Sequence, residues 1–179
     1  MNSVTVPNPP ASSLIEKELT ALFGVRRPTF WVTRERPKID RIACPWLILR
    51  FIDPGAQFLY VPPQDVFATA KATGAIAYDI PGAPFEHDGD LCSFDAFMTR
   101  FALDVPGLAE LAAIVRGADT SRLDMTPHSP GLYAISLGLS RLYHDDHAML
   151  AQGMVVYDAL YRYLLEGKGE THNWPPKAA

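Results

Sequence analysis

Residues 57–80 read QFLYVPPQDVFATAKATGAIAYDI. The β-prone run Gln57 to Val61 ends at Pro62-Pro63, which cannot continue a sheet ladder. Gln64 to Thr73 reads as a helix that stops at Gly74. Ile76 to Ile80 is β-prone again. Strand, helix and strand in succession predict a small sheet in this half of the chain. Working outward, Phe30 to Thr33 supplies an earlier strand. Before it, Ser13 to Phe23 reads as a short helix, with Ser13 and Glu16 at capping-box spacing and Gly24 at its end.

Beyond residue 92 the pattern turns helical. Helices are expected over 93–101, 108–115, 131–143 and about 146–165, with Gly167 closing the last. In that last helix Met149, Leu150, Gly153, Met154, Tyr157, Leu160, Tyr161 and Leu164 recur at helical spacing, a stripe that reads as core. The whole is an α+β fold: a small β-sheet in the N-terminal half, a predominantly helical C-terminal half and a single domain over 13–167. Residues 1–12 and 168–179 read as tails.

Composition narrows the function. The chain has 179 residues, 48% apolar and 20% charged, with a net charge of −4. That is an ordinary globular balance with no overall affinity for nucleic acid. No run of about 18 apolar residues predicts a membrane span. No basic start followed by an apolar stretch marks a secretory leader, so a cytoplasmic setting with two free thiols, Cys44 and Cys92, is expected.

Charge is unevenly placed. Seven basic residues lie between Arg26 and Arg50, and five acidic residues and no basic one between Tyr78 and Asp95. The two segments either face solvent separately, neutralise each other or line one cleft.

The basic segment holds Arg36-Pro37-Lys38-Ile39-Asp40-Arg41-Ile42-Ala43-Cys44-Pro45-Trp46-Leu47. Pro45 suits a first helical position, which favours a helix starting there. A start at Asp40, a good N-cap, is the alternative. With the later start, the Cys44 thiol would sit beside free helix-start N–H groups near Lys38 and Arg41, a setting that lowers a thiol pKa. One reading is an oxyanion corner of Lys38, Arg41 and Arg50. The other has Asp40 capping or pairing with an arginine and Cys44 buried as a small hydrophobe.

The acidic segment, residues 84–95, reads PFEHDGDLCSFD. Asp88-Gly89-Asp90 makes a turn and Ser93 caps the next helix. His87, Cys92 and Asp95 remain as ligand-type side chains. A histidine with carboxylates suits iron, manganese or zinc, while a plain turn with Asp95 near a helix start needs no ion. Asp119 and Asp124 are candidates for a further ligand. His144-Asp145-Asp146-His147 reads either as a ligand cluster or as the cap of the last helix.

Four blocks together resemble the chromate resistance protein family, ChrB-type C-terminal domain: RPKIDRIACPWLILRFIDPGAQFLYVP (36–62), FEHDGDLCSFDAF (85–97), LAAIVRGADT (111–120) and GLYAISLGLSRLYHDDHAMLAQGMVVYDALYRYL (131–164). Two departures stand out. The family pattern carries a histidine where this chain has Arg116, and a glutamate where it has Asp95. The resemblance groups His87, Cys92, Asp95 and Asp119 as one constellation, and Lys38, Asp40, Arg41 and Cys44 as another.

It implies a cytoplasmic chromate-resistance accessory or sensor domain that binds a chromate-like oxyanion, a divalent metal ion (iron, manganese or zinc), or both. The metal ligands would be His87, Asp95 and Asp119, and the anion would meet Lys38, Arg41 and Arg50. An alternative is a metal-dependent redox enzyme with Cys44, Arg41 and Asp40 as its catalytic group. A third is an interaction module that packs its tyrosine-rich last helix in a homo-oligomer. No motif for direct nucleic-acid binding is visible.

Overall fold

The computed structural model describes residues 13–171. Its centre is strand β1 (Phe30–Arg34), whose neighbouring residues Trp31 and Val32 point to opposite faces and are both fully buried. β1 lies between β2 (Gln57–Val61) and β3 (Ile76–Ala77), and both pairings are parallel, with Trp31 opposite Phe58 on one side and Ile76 on the other.

Each face has its own core. Val32 meets Val66, Ala75, Ala77 and Ala83, under helix α3 (Val66–Thr73). Trp31 belongs to the larger core, where its ring meets Phe23, Phe85 and Phe97 edge-on at 5.0–5.6 Å. A stack of Phe85 on Phe97, at 4.0 Å and nearly coplanar, continues this cluster.

That larger core is made by the remaining helices: α1 (Ser13–Phe23), α2 (Ile39–Leu47), α4 (Ser93–Arg100), α5 (Leu108–Asp119), α6 (Ser129–Leu142) and α7 (Asp146–Arg162). The small sheet and helical second half match the expected α+β class. The stripe on α7 is core, with Met149, Leu150, Tyr157 and Tyr161 all buried. Gly24 and Gly74 end α1 and α3 at positive φ, where a side chain would be strained.

Three local expectations are corrected. The expected strand over 76–80 shortens to Ile76–Ala77, because Tyr78 bridges to Phe85 and Asp79 turns into the left-handed region at φ 49°. The expected helix over 64–73 starts at Val66, after a tight turn at Pro63–Asp65. Pro45 stands inside α2 rather than at its first position, and the chain then widens into a π-helical turn over Ile48–Ile52. Proline there deprives the Arg41 carbonyl of its helical N–H donor. The Tyr60 hydroxyl, at 3.2 Å, and the Tyr78 hydroxyl, at 3.5 Å, donate to that carbonyl instead. Two tyrosines from the sheet thus satisfy a gap in the helix and pin α2 against it.

α7 packs along α2. Tyr157 donates its hydroxyl to the Ile39 carbonyl at 2.9 Å, and Asp158 takes both Nε and Nη2 of Arg50 and the Trp46 indole N–H. One turn before Tyr157, Gly153 lies against Ile42, where an added Cβ would overlap the Ile42 methyl. Gly153→Ala therefore forces the two helices apart. It should lower stability by about 1–3 kcal/mol in urea unfolding, with an unchanged midpoint counting against this packing.

Candidate metal centre

The site forms where the sheet's carboxyl end meets the starts and ends of three helices. β1 ends at Arg34, and Asp79 follows β3. Asp40 comes from the first turn of α2, and Asp119 is the last residue of α5. The loop after Phe85 brings His87 over all three carboxylates. Its Nε2 lies 3.2 Å from Asp119 Oδ2, 3.3 Å from Asp79 Oδ1 and 3.6 Å from Asp40 Oδ2.

Asp40 is the deepest member, 1% exposed. Its carboxylate sits at the amino end of α4, where it accepts the backbone N–H of Ser93 at 2.7 Å and of Phe94 at 3.1 Å, and the Cys44 thiol at 3.3 Å. An anion at a helix start is stabilised by the free N–H groups and the helix dipole. Asp79 is also buried. Its Oδ2 takes Arg34 Nη2 and Arg41 Nε, each at 3.1 Å, and its Oδ1 takes the Ser93 hydroxyl at 3.3 Å. The basic and acidic segments of the sequence therefore meet at Asp79.

Three carboxylates converge on one imidazole, and the titrations respond. The Asp40 and Asp79 carboxylates, in that order, push His87 up to about 10, so it is an imidazolium at neutral pH. Burial first, and then the charges of Asp40 and Asp79, push Asp119 up to about 7. Burial also raises Asp40.

His87 lines two openings. A cavity of about 300 Å³ lies against Arg34, Asp79 and Glu86, and another of about 470 Å³ reaches Cys92, Thr99 and Arg100. The imidazole side of the cluster is thus reachable from solvent, while Asp40 is not.

The expected site residues distribute unevenly. His87 and Asp119 are together. Asp95 is elsewhere engaged: Arg116 grips it with Nε at 2.9 Å and Nη2 at 2.6 Å, and it accepts the Cys92 backbone N–H at 3.0 Å. Asp95 and Arg116 are therefore bonded to each other as a bidentate ion pair. Ser93 does not cap α4. Cys92 is the N-cap, and the Ser93 N–H goes to Asp40.

Cys44 lies within α2 and not before it. It is fully buried, and burial followed by the Asp40 charge raises its thiol well above the ordinary value, as the reading of Cys44 as a small buried hydrophobe requires and the reverse of the lowering that a helix start at Pro45 implies. Cys92 is raised by burial as well. Arg41 sits on Asp79 and Arg50 on Asp158, while Lys38 faces a different pocket with Arg36 and Arg141. In the 144–147 cluster, Asp145 caps α7 by accepting the Ala148 N–H at 2.7 Å, and His147 packs edge-on against Tyr60.

Asp79 and the ligand-type role of Asp40 were not read from the sequence. The available signal for Asp79 is an acid directly after a parallel strand, since sites in such sheets gather at the strands' carboxyl ends.

The donor set can be tested for a cation. One donor atom each from Asp40, His87 and Asp119 lies within 4.8 Å of the others. Two carboxylate oxygens and one imidazole nitrogen suit iron, manganese or zinc. Asp79, held by two arginines, is placed to orient His87 rather than to serve as a further ligand. The residues present therefore fit a divalent ion.

Comparison with known proteins places these residues in a family context. The chain matches the family "ChrB, C-terminal domain" over residues 31–164. It is 37% identical over 134 residues to Protein ChrB of Cupriavidus metallidurans, covering 74% of this chain and 40% of that relative. The chain thus spans well under half the length of the curated relative it matches. No solved structure matches it.

The His87 contacts make a pH prediction. A histidine raised from 6.5 to about 10 by folding contributes stability in full below pH 6.5, and loses it as pH rises through about 10. An aspartate raised from 3.8 to about 7 destabilises increasingly as pH rises between those values, so it has finished titrating above about 7. In chelator, the urea midpoint should fall between pH 7 and 10, and fall less in His87→Gln. Equal slopes in the two proteins would count against the imidazolium.

Proposed function

We propose a function from the premise that this chain belongs to the ChrB C-terminal domain family: it is a metal-ion-binding sensor domain acting in chromate resistance. Family membership supports the chromate-resistance role. The observation that carries the metal reading is the convergence of three carboxylate oxygens on Nε2 of one imidazole, 3.2–3.6 Å away. Asp40, His87 and Asp119 would hold the ion. Bound there, it would supply a fixed positive charge and Lewis acidity beside the two openings at His87.

Each protein group has a stated task in this reading. Asp40 is fixed by α4, so its position does not depend on the ion. Asp119 ends α5, and the loop carrying His87 joins β3 to α4. An ion bridging them would tie α2, α5 and this loop together. Binding would therefore stiffen the arrangement, which is a response a sensor can transmit. The acidic lining favours a cation over an oxyanion at this centre. The buried, protonated Cys44 and Cys92 thiols favour sensing over thiolate-driven reduction of an oxidant.

The test is titration of the chelator-treated protein with manganese(II) and zinc(II), followed by calorimetry and by thermal stability. One ion per chain should bind and raise the melting temperature. His87→Ala and Asp119→Asn should each weaken binding by at least about tenfold. Binding should strengthen with rising pH, because the His87 proton must leave. No uptake, or uptake that both variants leave unchanged, would refute the reading.

A further inference from the structure

Asp40 and Asp119 stand on different helices, and the bonds around them close into a ring. Two carboxylates share the free N–H groups that open α4. Asp40 takes those of Ser93 and Phe94, and Asp95 takes that of Cys92 at 3.0 Å. The Asp95 N–H returns to the Cys92 carbonyl, also at 3.0 Å. All four helix-start donors are thus satisfied, three of them by the two aspartates. The N-cap itself is Cys92, whose thiol is a weak hydrogen-bonding group, so the carboxylates carry the cap.

Asp95 is in turn held by α5. Arg116 reaches it with Nε at 2.9 Å and Nη2 at 2.6 Å, a two-point grip that fixes the plane of the carboxylate as well as its position. Arg116 lies one turn before Asp119 on the same helix, so the two side chains leave neighbouring points of α5. Asp119 Oδ1 accepts the Asp40 backbone N–H at 3.4 Å and closes the ring, which runs Asp119, Arg116, Asp95, the α4 amides, Asp40. The end of α5 is itself tightly packed. At Gly117 an added Cβ would overlap the Ser129 hydroxyl, which donates to the Ile114 carbonyl at 3.1 Å. Arg122 holds the same segment further out through Asp90, but that pair is exposed and contributes little.

We propose that Arg116 is a positioning residue for the metal centre. It bonds to no ligand side chain. Through Asp95 it holds the amino end of α4 against Asp40, and through α5 it ties that hold to Asp119. The spacing of the two carboxylate ligands is therefore set before an ion arrives, which spares binding the cost of ordering them. The metal part of this inference rests on the proposed ligand set of Asp40, His87 and Asp119, whereas the hold on α4 does not. Lysine is no substitute at this position, because an ammonium offers a point charge and no fork.

The test compares the whole chain, treated with chelator, with Arg116→Met, which loses the fork, and Arg116→Lys, which keeps the charge. Arg122→Met controls for the loss of a nearby ion pair. Amide hydrogen exchange is read first, without metal. In Arg116→Met the Ser93 and Phe94 amides should exchange at least about tenfold faster relative to the Phe97 amide of the same helix, with Arg116→Lys in between. A general loss of stability moves all three amides together, and that result overturns the proposal. Calorimetric titration with manganese(II) is read second, at a temperature where circular dichroism shows the variants folded. Arg116→Met should weaken binding about tenfold, Arg116→Lys less, and Arg122→Met by less than about twofold. If Arg116→Met does not fold, Arg116→Lys carries both comparisons. Equal affinity in the parent and the Arg116 variants overturns the positioning role and leaves the ion reading intact. A parent that takes up no manganese(II) refutes the ion reading, and the exchange rates alone then decide the hold on α4.

Discussion

A buried carboxylate organises this fold. Asp40 lies in the first turn of α2, where water cannot reach it, and a charge there is costly unless it is bonded. Its partners lie on three sides: the Ser93 and Phe94 amides that open α4, the Cys44 thiol one turn along α2, and the His87 imidazole at ion-pair distance. α4 and the loop carrying His87 are thereby fixed relative to α2. Removing the carboxylate would leave the α4 amides buried without an acceptor, and removing His87 would leave the carboxylates without their shared cation.

The same region shows how a helix tolerates a residue that should break it. Pro45 takes one donor from α2, and the two tyrosine hydroxyls from β2 and the end of β3 replace it. Burial and neighbouring charge raise both tyrosines, so they remain donors. Sheet and helix are then joined by polar bonds on one side and by the Trp31 aromatic cluster on the other.

Much of this was legible in the sequence. Glycines at 24 and 74, the Pro62-Pro63 stop and the apolar stripe of residues 149–164 are local signals, and local physics decided them. The misread positions depend on distant partners. Pro45 looked like a helix start because its rescue by Tyr60 and Tyr78 lies in other elements. Of the two readings of Cys44, the activated thiol depended on that misplaced start, and the buried hydrophobe is the one that stands. The third strand was drawn too long because Asp79 leaves the ladder to reach Arg34 and Arg41, 45 and 38 residues away in the chain. His87 and Asp119 were found as ligand-type residues near predicted turns, but Asp40 and Asp79 required the parallel sheet that brings them together. Asp95 matched the chemistry of a ligand and sits on Arg116 instead, a pairing that only the packing of α4 on α5 reveals.

The account turns on a cation at the Asp40, His87 and Asp119 cluster. The most direct measurement is a crystal structure of the protein soaked in manganese(II), with anomalous scattering collected to locate the ion. The account predicts a single strong peak among those three side chains, with the Asp95–Arg116 pair intact. A clean structure with no peak there, or with the ion bound at Asp95 and Cys92 in place of that cluster, would contradict it.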